Sequence, residues 1–295
     1  MTPKKQRVLI VILVLLMILS LLAATYPIIA SWATERSRAQ VRTEYQEQLD
    51  QADDTELQTA RAAAEEYNRK LFAGEIFPGE TPHQAGYYDM LNLTGTGIMG
   101  YVEIPKINVN LPIFHTVEES VLSRGAGHMP QTSLPIGGTN THAAISAHTG
   151  LASAPMFTEL VQLKVGDVFY ITTLGEKMAY EVEEILIVEP DDVSHIQIQP
   201  GRDLVTLITC TPYGINSHRL LVRGHRIELT EELVQEQQTL SQQTEEPSVY
   251  WQHYMGGILD GLTAAVGLLL LIAAVVTVRN IIWRKKQLKE EPTPC

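Results

Sequence analysis

The sequence contains few cysteines and few basic residues, and both shortages exclude classes of protein. Two cysteines among 295 residues cannot build a disulfide framework or a cysteine-rich zinc site. Lysine and arginine together number 22 against 34 acidic residues, which gives a formal net charge of −12. Proteins that bind nucleic acid through phosphate contacts usually carry a basic face, so we expect no nucleic-acid partner. Glycine (20) and proline (15) are near average, which excludes collagen-like and Pro/Gly-rich disordered chains.

The apolar residues are concentrated in two long runs near the ends of the chain. The first lies within residues 1–30 behind a basic start, and the second covers residues 255–278 ahead of a basic tail at 279–295. A helix needs about 20 apolar residues to cross a bilayer, and basic flanks stay in the cytoplasm. The pattern predicts two transmembrane helices in the cell membrane, with the intervening residues outside. A cleaved signal peptide is the alternative for the first run, and a buried core helix for the second.

Between the two runs the pattern changes from helical to strand-like. Residues 31–97 start with an Ala- and Glu-rich stretch, which predicts an amphipathic helix, or two helices broken near Asp53, before a Gly- and Pro-rich loop at 74–86. Residues 98–229 hold many short β-branched segments separated by turn residues, which indicates a closed antiparallel barrel or a sandwich. Residues 230–254, rich in Glu and Gln, predict a solvated linker.

One cysteine and one arginine in the strand-rich region are spaced so that they could act together in a catalytic site. Cys210 ends a predicted strand, and Arg219 opens the next strand after eight residues. If these strands are antiparallel neighbours, the two side chains lie together at one rim, where a guanidinium favours a thiolate and binds an oxyanion. Taken singly, each residue also fits a structural role. A histidine is the usual base for a thiol, and spacing leaves four candidates: His142, His148, His218 and His225.

Several motifs resemble those of sortases. Residues 206–210 (TLITC), followed by Arg219, resemble the TLxTC…R signature of that family, and residues 146–150 (SAHTG) resemble its histidine motif. A further set of segments resembles more closely the pilus-assembling class C sortases: residues 101–107, 125–128, 133–138 and 211–219.

The resemblance implies an eight-stranded sortase β-barrel with three catalytic residues: Cys210 as nucleophile, His148 as acid and base, and Arg219 as stabiliser of oxyanion and substrate. It implies cleavage of an LPxTG-like sorting signal between Thr and Gly through a thioester, which a pilin lysine resolves as an isopeptide bond. The implied partners are pilin or surface-protein precursors, with a pilin lysine or a peptidoglycan precursor as acceptor. No cofactor or metal is implied.

The loop at residues 74–86 departs from the class C pattern. Many class C sortases carry a lid with an Asp-Pro-aromatic motif, and this loop has no Asp-Pro pair. Phe77 and Pro78 could form a substitute lid, or the loop could be an ordinary one packed on the barrel. Two other functions also remain open: a housekeeping-type sortase that attaches surface proteins to peptidoglycan, and a non-catalytic, membrane-tethered scaffold.

Overall fold

The computed structural model describes residues 3–76, 86–93, 95–151 and 154–243, together with short helical pieces between residues 256 and 282. The chain divides into two compact units, Met1–Ser248 and Val249–Cys295. The first unit contains all of the strands and the four helices named below. In the second unit, the structure describes only the short helical pieces.

Eight strands of the first unit form a closed barrel. Their bounds are β1 Ile98–Ile104, β2 Val109–His115, β3 Ala126–His128, β4 Thr141–Ser146, β5 Val168–Thr173, β6 Glu176–Val188, β7 Asp203–Thr211 and β8 His218–Ile227. Around the wall they follow the order β1-β2-β3-β4-β7-β8-β6-β5, and β5 closes on β1. The predicted closed eight-stranded barrel is thus confirmed. It is not purely antiparallel, because β2 pairs with β3, and β4 with β7, in parallel.

The interior of the barrel is filled by apolar side chains from every part of the wall. Phe169 on β5 and Tyr180 on β6 stack with ring centroids 5.7 Å apart, and both are fully buried. Gly224 on β8 makes room for them, because a Cβ atom there would lie 2.6 Å from the Phe169 ring. Burying such large rings supplies much of the favourable free energy of folding. The same core includes Val102, Ile104, Ile113, Ile145, Ile171, Val205, Leu207 and Val222.

The described residues of the first unit form four α-helices: α1 Pro3–Gln51, α2 Asp54–Phe72, α3 Glu119–Leu122 and α4 Glu231–Gln243. Short 3₁₀ helices lie at Tyr87–Asp89, Pro105–Ile107, Thr158–Gln162 and Ser194–Ile196. The break expected near Asp53 is present, because the Asp53 carboxylate accepts a hydrogen bond from the Glu56 backbone N–H at 2.7 Å and so caps α2. Part of the segment predicted to be a solvated linker is the helix α4.

The helices on the first unit are packed against the barrel by buried contacts. Tyr45 and Leu49 of α1 join a cluster with Tyr101 of β1. On α2, the Asn68 side chain donates to the Leu134 carbonyl at 3.1 Å and accepts from the Leu134 N–H at 2.6 Å. The Asn68 side chain therefore gives the buried Leu134 N–H the hydrogen-bond partner that a neighbouring strand would usually supply.

The predictions of two transmembrane helices and of a two-span membrane location are wrong. They relied on the apolar composition of residues 1–30 and 255–278. A span requires about 20 apolar residues within a single helix. Within the residues that the structure describes, no helix combines that length with that apolarity.

Candidate active site

Three neighbouring strands bring the predicted site residues to one end of the barrel. Cys210 on β7 and Arg219 on β8 are register partners in an antiparallel pair. On the other side of β7, Ser146 at the end of β4 is the parallel partner of Ile208. Two residues further along each of these segments, His148 lies level with Cys210. Had β4 and β7 been antiparallel, the residues after β4 would lie at the opposite end from Cys210.

The backbone around His148 is held in place by hydrogen bonds on both sides of that residue. The Ala147 N–H donates to the Ile208 carbonyl at 3.1 Å, and the Thr209 hydroxyl donates to the Ala147 carbonyl at 2.9 Å. The His148 carbonyl accepts from the Phe157 N–H at 3.0 Å. The histidine is therefore fixed relative to β7, the strand that carries the cysteine.

His148, Cys210 and Arg219 line one cavity of about 320 Å³. Most of the other lining side chains are apolar, and they come from α3 and the segment before it, from the end of β6 and the connection to β7, and from β7, β8 and the ends of β3 and β4. An apolar cleft with a few convergent polar groups is the usual form of a binding site. The other lining residues are Val117, Leu122, Met129, Ser146, Ala147, Val188, Pro190, Asp192, Val193, Ile196, Ile208 and Leu221.

Arg219 is braced against the loop that joins β7 and β8. Its Nη1 atom donates to the carbonyls of Asn216 at 3.2 Å and His218 at 3.1 Å. A guanidinium has five N–H donors, so these two contacts leave others that can face a substrate oxygen. Cys210 is a free, half-buried cysteine that lines the cavity.

A carboxylate that sequence reasoning missed contacts the candidate base. The Nε2 atom of His148 lies 3.2 Å from Oε1 of Glu119, the first residue of α3. The two residues are 29 positions apart, and α3 has only four residues. A helix of that length leaves no periodic signal in the sequence, so only the fold reveals this pair.

The other three candidate histidines have different surroundings. His142 is buried, and its ring contacts the Gln197 carbonyl at 2.8 Å and the Thr206 hydroxyl at 2.7 Å. Burial lowers the pKa of His142 to about 4, so its ring is neutral near pH 7. His218 lies 3.4 Å from a carboxylate oxygen of Glu189, and His225 lies 3.4 Å from one of Glu183. None of the three is among the residues that line the cavity.

One wall of the cavity carries a negative charge. Asp192 accepts hydrogen bonds from the hydroxyl and the N–H of Ser194, and these bonds lower the pKa of the Asp192 carboxyl. Among the residues that the structure describes, no group of three or more His, Cys, Asp or Glu side chains could hold a metal ion. The predicted lid residues Phe77 and Pro78 lie outside the described residues.

Comparison with known proteins identifies the family. The model of the sortase domain matches residues 102–227. Among solved structures, sortase C1 of Streptococcus agalactiae is 42% identical with a TM-score of 0.61, and the chain covers 98% of it with 64% of its own length. Streptococcus pneumoniae sortase C is 43% identical with a TM-score of 0.58, with coverages of 98% and 65%. Clostridium perfringens sortase C, solved with the C-terminal cell wall sorting motif, is 41% identical with a TM-score of 0.59, with coverages of 100% and 65%.

The chain therefore belongs to the sortase family, and within that family to class C. The prediction of a sortase is confirmed. Among curated relatives, the chain is 37% identical to sortase A of Streptococcus agalactiae, 30% to sortase D of Bacillus subtilis and 28% to sortase A of Bacillus anthracis. It spans 47%, 63% and 59% of their respective lengths.

Proposed function

We propose that this sortase is a cysteine transpeptidase that cleaves an LPxTG-like sorting signal between Thr and Gly and joins pilin subunits through a lysine isopeptide bond. The observation that carries the proposal is the pairing of Cys210 with Arg219 across β7 and β8, at the cavity that His148 also lines. The likeness to other sortases supports the substrate class. The Clostridium perfringens enzyme was solved with a sorting motif, and the Streptococcus pneumoniae structure concerns pilin substrate specificity.

In the first half of the reaction, His148 takes the proton of the Cys210 thiol, and the sulfur attacks the carbonyl carbon of the substrate Thr. The carbonyl oxygen becomes negative, and the Arg219 guanidinium stabilises it by charge-assisted hydrogen bonds. The bond from this carbon to the Gly nitrogen then breaks, and His148 delivers a proton to the leaving amine. A thioester between Cys210 and the substrate remains.

In the second half, a lysine amine of another pilin attacks the thioester carbon. His148 accepts the proton that this amine loses and passes it to the Cys210 sulfur as the C–S bond breaks, which restores the thiol and the neutral imidazole. One amide bond is broken and one is formed, so the exchange needs no external energy source. The cavity wall built by α3 and by residues 188–196 is mainly apolar, which suits the aliphatic part of a sorting signal.

The proposal is tested by incubating the protein with a sorting-signal peptide and measuring intact mass. We expect an acyl adduct on the wild-type protein, localised to Cys210 by peptide mapping. The Cys210→Ala variant should give no adduct, and His148→Ala and Arg219→Ala should acylate at least 100-fold more slowly, on the order of the loss of one oxyanion donor. An active Cys210→Ala variant would exclude this chemistry.

The acceptor is tested by a separate experiment. Incubation with a pilin precursor should give ladders that resist SDS, and mass spectrometry should find the acyl group on a pilin lysine. Products attached to a peptidoglycan precursor instead would indicate a housekeeping-type sortase. Full biological activity of Cys210→Ala would indicate a non-catalytic scaffold.

A further inference from the structure

Helix α3 lies beside the end of β4 because of the strand order. Strand β3 follows α3 directly, and it pairs antiparallel with β4 so that Gly127 is opposite Ser146. The residues just before β3 and the residues just after β4 therefore lie at the same end of the barrel. This arrangement brings Glu119 to His148, although neither belongs to the strand of the cysteine.

The position of α3 is set by tight packing on both sides. A Cβ atom on Gly127 would lie 2.1 Å from the Thr116 carbonyl oxygen, so the chain passes itself closely before and after the helix. Val121 packs against the cluster that contains Tyr45 and Phe114, and Leu122 lines the cavity that contains Cys210. The short helix is therefore held on two faces, and its first residue has a defined place at the cavity rim.

The contact between Glu119 and His148 determines which ring nitrogen carries a proton. A carboxylate only accepts hydrogen bonds, so the Nε2 atom of His148, 3.2 Å away, must be the donor. In the neutral ring, Nδ1 is then the unprotonated atom. The general base of a Cys–His pair is often oriented by such a third group.

We propose that Glu119 is a positioning residue that holds His148 in the Nε2–H tautomer, so that Nδ1 exchanges protons with the thiol and the leaving amine. The inference builds on the proposed function, since it assigns the proton-transfer atom of that reaction. Glu119 acts only through the histidine. Its side chain is 79% exposed and that of His148 is 23% exposed, so the effect is that of a largely solvated pair.

The kinetic test compares two variants of Glu119 with one matched control. Glu119→Ala should lower kcat for a sorting peptide about fivefold, which corresponds to the upper value of about 1 kcal/mol for an exposed ion pair. KM should stay within about twofold, because Glu119 is not among the residues that line the cavity. Glu119→Gln should recover most of kcat, since its amide oxygen still accepts from Nε2–H. The control is Glu118→Ala, which removes the neighbouring exposed carboxylate and should behave as wild type.

A second measurement reads the tautomer directly and does not depend on activity. Nitrogen NMR of histidine-labelled Cys210→Ala protein, at a pH where neutral imidazole dominates, should show Nε2 protonated in His148. Adding Glu119→Gln to the Cys210→Ala protein should keep this tautomer. Adding Glu119→Ala should give a mixture of the Nε2–H and Nδ1–H tautomers. The inference is overturned if Glu119→Ala matches Glu118→Ala in tautomer and kcat. Absence of any acyl-enzyme in the wild type would instead refute the proposed function, and the NMR result would still decide the tautomer.

Discussion

Replacing Thr209 by valine should weaken both the fold and the candidate site. The Thr209 side chain is buried, and its hydroxyl donates to the Ala147 carbonyl at 2.9 Å. Valine has nearly the same shape but lacks the donor, so the carbonyl loses a partner in a buried place. Such a loss costs about 1–3 kcal/mol, and about 2 kcal/mol would lower Tm by roughly 4–8 °C in a domain of this size. Because Ala147 precedes His148, the change should also loosen the position of the base.

Thr206→Val is the matched control for this substitution. Thr206 lies on the same strand and is also fully buried, but its hydroxyl contacts the ring of His142, away from the cavity. We expect a similar fall in Tm for both variants. Only Thr209→Val should also reduce the rate of Cys210 acylation, by about tenfold, because misplacing a proton-transfer group is costly even when binding is intact.

The assay combines thermal unfolding with acylation by a sorting peptide, the acylation being measured at a temperature where both variants are fully folded. Equal acylation rates for Thr209→Val and Thr206→Val would refute the argument that this hydroxyl positions His148. An unchanged Tm in Thr209→Val would refute the energetic argument, since the Ala147 carbonyl would then have found another partner.

Three further predictions follow from particular contacts. Arg219→Lys should lower kcat by about 10- to 100-fold with Tm unchanged, because an ammonium keeps the charge but lacks the planar fork; full activity would contradict a role for the guanidinium geometry. Gly127→Ala should destabilise the fold by about 3 kcal/mol in urea unfolding, because its Cβ would lie 2.1 Å from the Thr116 carbonyl oxygen. As a control, replacing the exposed Ser120 of α3 by alanine should change stability by less than about 0.5 kcal/mol. Burial lowers the pKa of His142 to about 4, so the unfolded chain protonates this ring at a higher pH than the folded chain does. The free energy of unfolding should therefore fall as the pH drops from about 6.5 towards 4, by on the order of 3 kcal/mol for this group. His142→Gln should make that dependence shallower without removing it, because burial lowers the pKa of His128 to about 4 as well. His218→Gln is the control, and a slope for His142→Gln equal to that of the control in urea titrations would show that His142 does not contribute.

The features that could be predicted from the sequence are those with local signals. Short β-branched segments between turns predict a barrel or a sandwich, and the family resemblance selects the barrel. Asp53 marks the break between α1 and α2 because an N-cap acts within three residues. The pairing of Cys210 with Arg219 follows from one hairpin loop. In each case the residues concerned are close in the chain, so the sequence pattern is enough to predict how they are arranged.

The features that could not be predicted depend on contacts between distant segments. The parallel pairing of β4 with β7 joins strands separated by two others in the chain, and no local pattern distinguishes it from an antiparallel pair. The contact of Glu119 with His148 depends in the same way on the pairing of β3 with β4. The membrane prediction failed for a related reason, since it took the composition of a run as sufficient and had no information on the helix that contains it.

Strand register, rather than loop conformation, determines which groups meet in this site. Side chains alternate between the two faces of a strand, so a slip of β8 by one residue would replace Arg219 by His218 or Leu220 opposite Cys210. His218 is occupied elsewhere, 3.4 Å from Glu189, and Leu220 offers no donor. The hydrogen bonds of β7 with its two neighbours thus select one alignment in which thiol, imidazole and guanidinium line the same cavity. Changes in the loop between β7 and β8 that preserve this register should alter substrate preference before they abolish acylation, whereas changes that shift the register should abolish acylation first.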